Sequence, residues 1–204
     1  MNSALRRPTC PRCLRPSRAC LCAWVRACDN EVELLLLQHP QEQAQAKGTA
    51  RLLQLSLARC RLEVGERFDP ARLGVADGRS LLLYPGDADG DGASATPAHA
   101  TDADADAGPL RLIVLDATWR KSRLLLHLNP WLRQLPRLAL AAPPPSRYGA
   151  IRKAHAPKQL STLEASLLAL QQLEGRPQRY AALWQGFEGF IAQQQAFRPA
   201  PPAG

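Results

Sequence analysis

Short apolar runs punctuate the chain, and segments of helical period fall between them. Glu33 to Gln38 (ELLLLQ), Ser80 to Tyr84 (SLLLY) and Leu112 to Leu115 (LIVL) are apolar on successive residues, the pattern of strands covered on both faces. Pro40, Pro85 and the polar cluster Asp116, Thr118, Trp119 close these runs. Arg61 to Phe68 and Arg137 to Ala142 (RLALAA) read as two further strands. Lys47 to Arg59 carries apolar residues at 52, 53, 55 and 57 and predicts a helix with Thr49 as N-cap. Thr118 to His127 predicts a helix stopped by Asn129-Pro130. Leu160 opens a long amphipathic helix through Leu173, with Ser161 and Glu164 at capping-box spacing, and Gln178 to Phe197 predicts a last helix. Strands alternating with helices predict an α/β fold, a mostly parallel sheet flanked by helices. In such a sheet ligands bind beyond the carboxyl ends of the strands.

At 204 residues the chain suits one main domain with a small appendage. The expected division is a metal knuckle at 1–30, a catalytic domain at 31–198 and a short tail at 199–204. Residues 86–109, rich in Gly, Ala and Asp, read as a flexible acidic insertion. Its DADGDG stretch lacks the glutamate that closes a calcium loop. Six aspartates lie in this insertion, so the remaining residues hold 26 basic against 12 acidic side chains, a charge of +14 where the whole chain has +8. That excess suits a polyanion such as RNA. The chain has neither a run long enough to span a bilayer nor the apolar core of a secretory signal, so it is expected to be cytoplasmic.

Four of the six cysteines follow a CxxC, six-residue, CxC pattern: Cys10, Cys13, Cys20 and Cys22. Two short pairs joined by a short loop place four thiolates around one tetrahedral zinc ion, which stabilises a segment too small to bury a core. Cys28 and Cys60 read as small core residues. Arg6, Arg7, Arg12, Arg15, Arg18 and Arg26 surround the knuckle with no acid before Asp29, as an RNA contact or for solubility alone.

Asp116 is the only carboxylate between Arg111 and Lys158, among ten Lys and Arg residues, and it follows a predicted strand. That isolation makes it the candidate catalytic group. Thr118 reads as a helix cap or a ligand contact, and Trp119 as a core residue or a stacking face. His39 reads as a proton-transfer group or as a strand-end histidine held by the backbone. Arg147, Tyr148, Arg152 and Lys153 form a basic loop with one aromatic ring, a composition suited to RNA phosphates and a stacked base.

Taken in order, the cysteine knuckle, His39-Pro40-x-Glu42, Leu83-Tyr84-Pro85, Asp116-x-Thr118-Trp119, Tyr148-x-x-x-Arg152 and Leu160-Ser161-Thr162-x-Glu164-Ala165 resemble the DTW-domain family. The chain departs from that pattern at Ala117, where many relatives have glycine, and in the acidic insertion. The resemblance implies a fold related to the SPOUT methyltransferases, with a knot near the C-terminal part of the sheet. It implies a tRNA-uridine aminocarboxypropyltransferase that uses S-adenosylmethionine, with Leu83, Tyr84, Pro85, Thr118, Trp119, Leu160, Ser161 and Thr162 binding the cofactor. His39, Glu42 and Glu164 fall near the site on the same ground. Two alternatives share parts of this picture: a SPOUT-like RNA methyltransferase, and a non-catalytic zinc-containing RNA-binding protein.

Overall fold

A computed structural model describes residues 8–75, 79–85, 109–150 and 160–197. Five strands form one sheet: β1 (Glu33–Gln38), β2 (Cys60–Val64), β3 (Ser80–Leu83), β4 (Arg111–Asp116) and β5 (Arg137–Leu138), in the order β2-β1-β4-β3-β5. Every pairing is parallel, as the apolar runs predict. In the centre Leu34 stands beside Leu112, Leu35 beside Ile113 and Leu36 beside Val114. Because side chains alternate across a strand, these runs feed two cores. Leu34, Leu36, Leu81, Leu112 and Val114 face one, and Leu35, Leu37, Leu82 and Ile113 face the other. Leu34 to Leu37 are completely buried, each contributing on the order of 2 kcal/mol.

Helices cover both faces. The first core is closed by α1 (Ala50–Ser56), α5 (Thr162–Glu174) and α6 (Ala181–Ala196). The second lies under α2 (Pro70–Leu73), α3 (Trp119–Leu128) and α4 (Trp131–Gln134). The short helices α2 and α4 are additions to the sequence reading. Asp69 caps α2 by accepting from the Ala71 N–H at 2.9 Å.

Several boundaries are tighter than the pattern predicts, and each has a local cause. The second strand stops at Val64 instead of Phe68, because its neighbour β1 runs out and the Gly65 N–H donates to the last β1 carbonyl, that of Gln38. The RLALAA strand pairs only through Leu82–Arg137 and Leu83–Leu138, since β3 ends there. α1 ends at Ser56 because Leu57 turns extended and bridges Cys28. The last helix splits into a tight turn at Pro177–Tyr180 and α6.

The N-terminal segment packs against α6. Trp24 lies on Gly186 and Gly189, and a methyl group at either would meet Trp24 atoms at 2.3 and 2.2 Å. Gln193 ties the seam, accepting from Trp24 Nε1 at 2.8 Å and donating to the Cys20 carbonyl at 3.0 Å. The acidic insertion lies outside the described residues apart from Pro109, as does the path from Ala150 to Leu160 on which the expected knot depends. No helix among the described residues is long and apolar enough to cross a membrane.

Candidate active site

Strands β1 and β4 are neighbours whose connections diverge. From β1 the chain passes through α1 to β2 on one side, and from β4 through α3 and α4 to β5 on the other. Such a divergence opens a crevice at the carboxyl ends of the two strands. Gln38 and Asp116 are the last residues there and stand in register. Gln38 Nε2 donates to Asp116 Oδ2 at 2.6 Å, and Thr162 Oγ1 donates to Asp116 Oδ1 at 2.5 Å. Asp116 is 6% exposed, so it sits behind the crevice wall with both oxygens engaged.

A cavity of about 390 Å³ opens beside this wall. Leu83–Pro85 leave β3, Leu138–Leu140 leave β5, Trp119 and Ser122 come from the start of α3, and Leu160–Thr162 from the start of α5. Its walls are mainly apolar with a few hydroxyls, and its volume is in the range of small-molecule sites. Trp119 is 45% exposed and meets Tyr84 edge-on, with ring centroids 5.9 Å apart. It is a cavity residue, not core. Of the expected cofactor residues, Leu83, Tyr84, Pro85, Trp119, Leu160, Ser161 and Thr162 line this space. Thr118 is the N-cap of α3, its hydroxyl accepting from the Lys121 N–H, and does not line the cavity. Asp116 does not itself line the cavity, but its carboxylate is joined to the lining residue Thr162.

The first turn of α5 is heavily constrained. The Ser161 N–H donates to Glu164 Oε2 at 2.8 Å and the Glu164 N–H returns to Ser161 Oγ at 3.2 Å, the capping box read from the sequence. The Leu163 N–H donates to Thr49 Oγ1 at 3.1 Å. Thr49 therefore occupies the N-cap position of α1, as predicted, while its hydroxyl serves another helix. Among the described residues, the Thr162 N–H is the first-turn donor left without a partner, and Thr162 lines the cavity.

Glu164 also accepts from Ser146 Oγ at 2.9 Å and from the Arg147 N–H at 2.7 Å, so one buried carboxylate pins a distant loop to the start of α5. That loop corrects one expectation. Tyr148 is 1% exposed, stacked against Phe187 and Phe190, with its hydroxyl donating to the Lys47 carbonyl at 2.6 Å. It is a core residue and offers no face to a base. Arg147 is exposed, pairs with Glu188 and lies over the Trp184 ring at the rim of a second cavity of about 420 Å³ between α5 and α6. Arg152 and Lys153 lie outside the described residues.

On the β1 side of the crevice, His39 is 3% exposed. Its Nδ1 accepts from the Gln41 N–H, and its Nε2 is 3.2 Å from Glu66. Glu42 is buried and paired with Lys121 Nζ at 2.7 Å. Lys121 escapes a sequence reading, because the pairing joins residues 79 apart.

The four cysteines of the N-terminal pattern converge, their sulfurs within 4.8 Å of one another. Cys10–Cys22 and Cys13–Cys20 are each 3.7 Å apart. Bonds of about 2.3 Å around a tetrahedral zinc require S···S edges of about 3.8 Å, so the set fits such an ion. Backbone N–H groups of Cys13 and Arg12 pull the Cys10 thiol down to about 6, while burial pushes the Cys22 thiol up to about 12, so the fit to a metal rests on the convergence of the four sulfurs. Cys28 donates to the Arg179 carbonyl, and burial pushes the Cys60 thiol up to about 12. Both stand apart from the cluster.

Residues 7–195 match the family model described as the DTW domain. The chain is 33% identical over 183 residues to tRNA-uridine aminocarboxypropyltransferase 2 of Mus musculus, covering 85% of this chain and 59% of that protein. It is 33% identical over 184 residues to the protein of the same name from Drosophila melanogaster, covering 85% and 69% respectively. The Macaca fascicularis protein of that name is 32% identical, and the match again spans 59% of its length. No solved structure matches the chain. With the family model running from the knuckle to the end of α6, the chain belongs to the DTW domain family.

Proposed function

We propose that this chain transfers the 3-amino-3-carboxypropyl group of S-adenosylmethionine to N3 of a tRNA uridine, releasing 5′-methylthioadenosine. One observation carries the reading. Three motifs far apart in sequence, Leu83–Pro85, Trp119 and Leu160–Thr162, converge on one cavity beside Asp116 at the carboxyl edge of a parallel sheet. The names of the relatives support the same activity.

The apolar walls suit the adenosyl part of the donor, with the exposed Trp119 ring offered to adenine. The open Thr162 N–H at the start of α5 suits the methionine carboxylate. Bound there, the donor supplies a γ-carbon already activated by its sulfonium. The N3–Cγ bond forms as the Cγ–S bond breaks, and the thioether leaves. The N3 proton passes to Thr162 Oγ1, whose own proton moves along its hydrogen bond to Asp116. Asp116 thus acts through Thr162, while Gln38 fixes its other oxygen. Arg147, Arg152 and Lys153 are proposed to hold RNA phosphates. A structural zinc at Cys10, Cys13, Cys20 and Cys22 completes the protein, with 31–198 as the catalytic domain in a SPOUT-related fold.

The test is to incubate the purified protein with S-adenosylmethionine and unmodified tRNA. The expected products are 5′-methylthioadenosine and a uridine carrying the four-carbon acid. S-Adenosylhomocysteine with a methylated nucleoside would make it a methyltransferase, and failure to bind the donor in calorimetry would overturn the enzymatic reading.

A further inference from the structure

The knuckle does not simply decorate the surface. It grips the short segment that holds the donor cavity in shape. Thr49 supplies the hydroxyl that receives the Leu163 N–H, one of the first-turn donors of α5 that no helical carbonyl can satisfy. It is 3% exposed, so no water can take its place. The residues on either side of Thr49 are held by two reciprocal links to the knuckle. Arg15, just beyond the first cysteine pair, donates to the Ala46 carbonyl at 2.6 Å and to the Gly48 carbonyl. Arg51, two residues after Thr49, donates to the carbonyl of Arg12 at 2.6 Å, inside the Cys10–Cys13 loop. Arg15 is also seated over the Phe190 ring, 5.2 Å from its centroid, and Tyr148 adds a third restraint at the Lys47 carbonyl.

These contacts run without a gap from the metal ligands to the cavity. The Cys10–Cys13 loop fixes Arg12 and Arg15, these fix residues 46–51, and Thr49 fixes Leu163. Beside Leu163, Thr162 lines the cavity and donates to Asp116. We infer that Arg15 and Thr49 are positioning residues for the donor cavity, and that the metal knuckle is a strut of the catalytic site. Arg15 is thereby assigned: its side chain binds the protein's own backbone, while the Arg12 carbonyl receives the Arg51 side chain. A packed, hydrogen-bonded series of this kind can transmit the state of one end to the other.

This inference rests on the donor reading above, and the experiment separates the two. Calorimetry first measures S-adenosylmethionine binding to the wild-type chain, where absence of binding sinks the donor reading. Given binding, Thr49→Val strands a buried N–H and is expected to weaken donor affinity about tenfold, with zinc content unchanged. Thr49→Ser, which keeps the hydroxyl, restores it. Arg15→Ala is expected to weaken donor affinity in the same way and to speed hydrogen exchange at the Leu163 amide, while amides of β4 stay protected. Donor affinity within twofold of wild type in Thr49→Val overturns the inference. So does a loss that Thr49→Ser fails to restore. If Arg15→Ala does not fold, the Thr49 pair decides the question alone.

Discussion

Thr162 Oγ1 donates a 2.5 Å hydrogen bond to Asp116 Oδ1, joining the first turn of α5 to the carboxyl end of β4 across 46 residues of sequence. Asp116 is thereby connected to the cavity without facing it. In the proposed reaction the two residues form one proton path, which removing either would break. Asp116→Asn and Thr162→Val are each expected to lower kcat on tRNA by about a hundredfold at saturating donor. The double variant should be no slower than the slower single one, because coupled groups are not additive. Single-turnover rates for the three variants check this, and multiplicative losses would show that the residues act independently.

The cysteine cluster makes a stoichiometric prediction. Purified protein should hold one zinc ion per chain, and Cys13→Ser should lose it. Cys60→Ala should keep it, because that thiol lies outside the cluster and burial raises it to about 12. Losing the ion is expected to cost on the order of 3 kcal/mol, a fall in Tm of roughly 6–12 °C for a chain of this size. Elemental analysis with thermal unfolding provides the check. An unchanged zinc content in Cys13→Ser would exclude the four-thiolate site.

Much of this architecture is legible in the chain because its determinants are local. The fully apolar Leu34–Leu37 and Leu112–Leu115 stretches admit only strands covered on both faces, and Asp116 follows directly as the residue at the sheet rim. Strand ends are less legible. Val64 and Leu138 are terminal because β1 and β3 stop beside them, and a neighbour's length is not written in a strand's own residues. The same distinction divides the site. The Ser161–Glu164 box repeats a local spacing and could be read, whereas Thr49 capping α5, Lys121 pairing Glu42 and Glu164 pinning Ser146 are contacts between distant segments. Tyr148 reads as an RNA-stacking ring because its neighbours are basic. The ring is instead taken by Phe187 and Phe190 on a helix about forty residues later.

Glu164 offers a stability test that isolates this long-range role. Its carboxylate accepts from the Ser161 N–H, Ser146 Oγ and the Arg147 N–H while 2% exposed. Glu164→Gln keeps the shape but turns an amide N–H₂ toward those donors. The expected cost is about 2–3 kcal/mol in urea unfolding, with an unchanged m value. A loss below about 0.5 kcal/mol, the size of an ordinary surface change, would mean that the carboxylate is not the pin.

The seam between the knuckle and α6 is close, and it rests on the absence of two side chains. At Gly189 a methyl group would fall 2.2 Å from Trp24 Cε3 and Cζ3, and at Gly186 it would fall 2.3 Å from the Trp24 carbonyl oxygen. In the middle of a helix, alanine is intrinsically better than glycine by about 1 kcal/mol, so helix propensity alone makes Gly189→Ala stabilising. Overpacking works against it, at about 1–3 kcal/mol, because the obstacle is an indole already held by Gln193 and has little room to retreat. The sign of the measured change therefore decides which effect governs α6. Gly189→Ala is expected to destabilise the chain by about 1–2 kcal/mol net and to shift Trp24 fluorescence as the ring is pushed off the helix. A stabilised variant with unchanged fluorescence would mean that the knuckle stands away from α6, and the route from the metal to the cavity would lose its footing on that side.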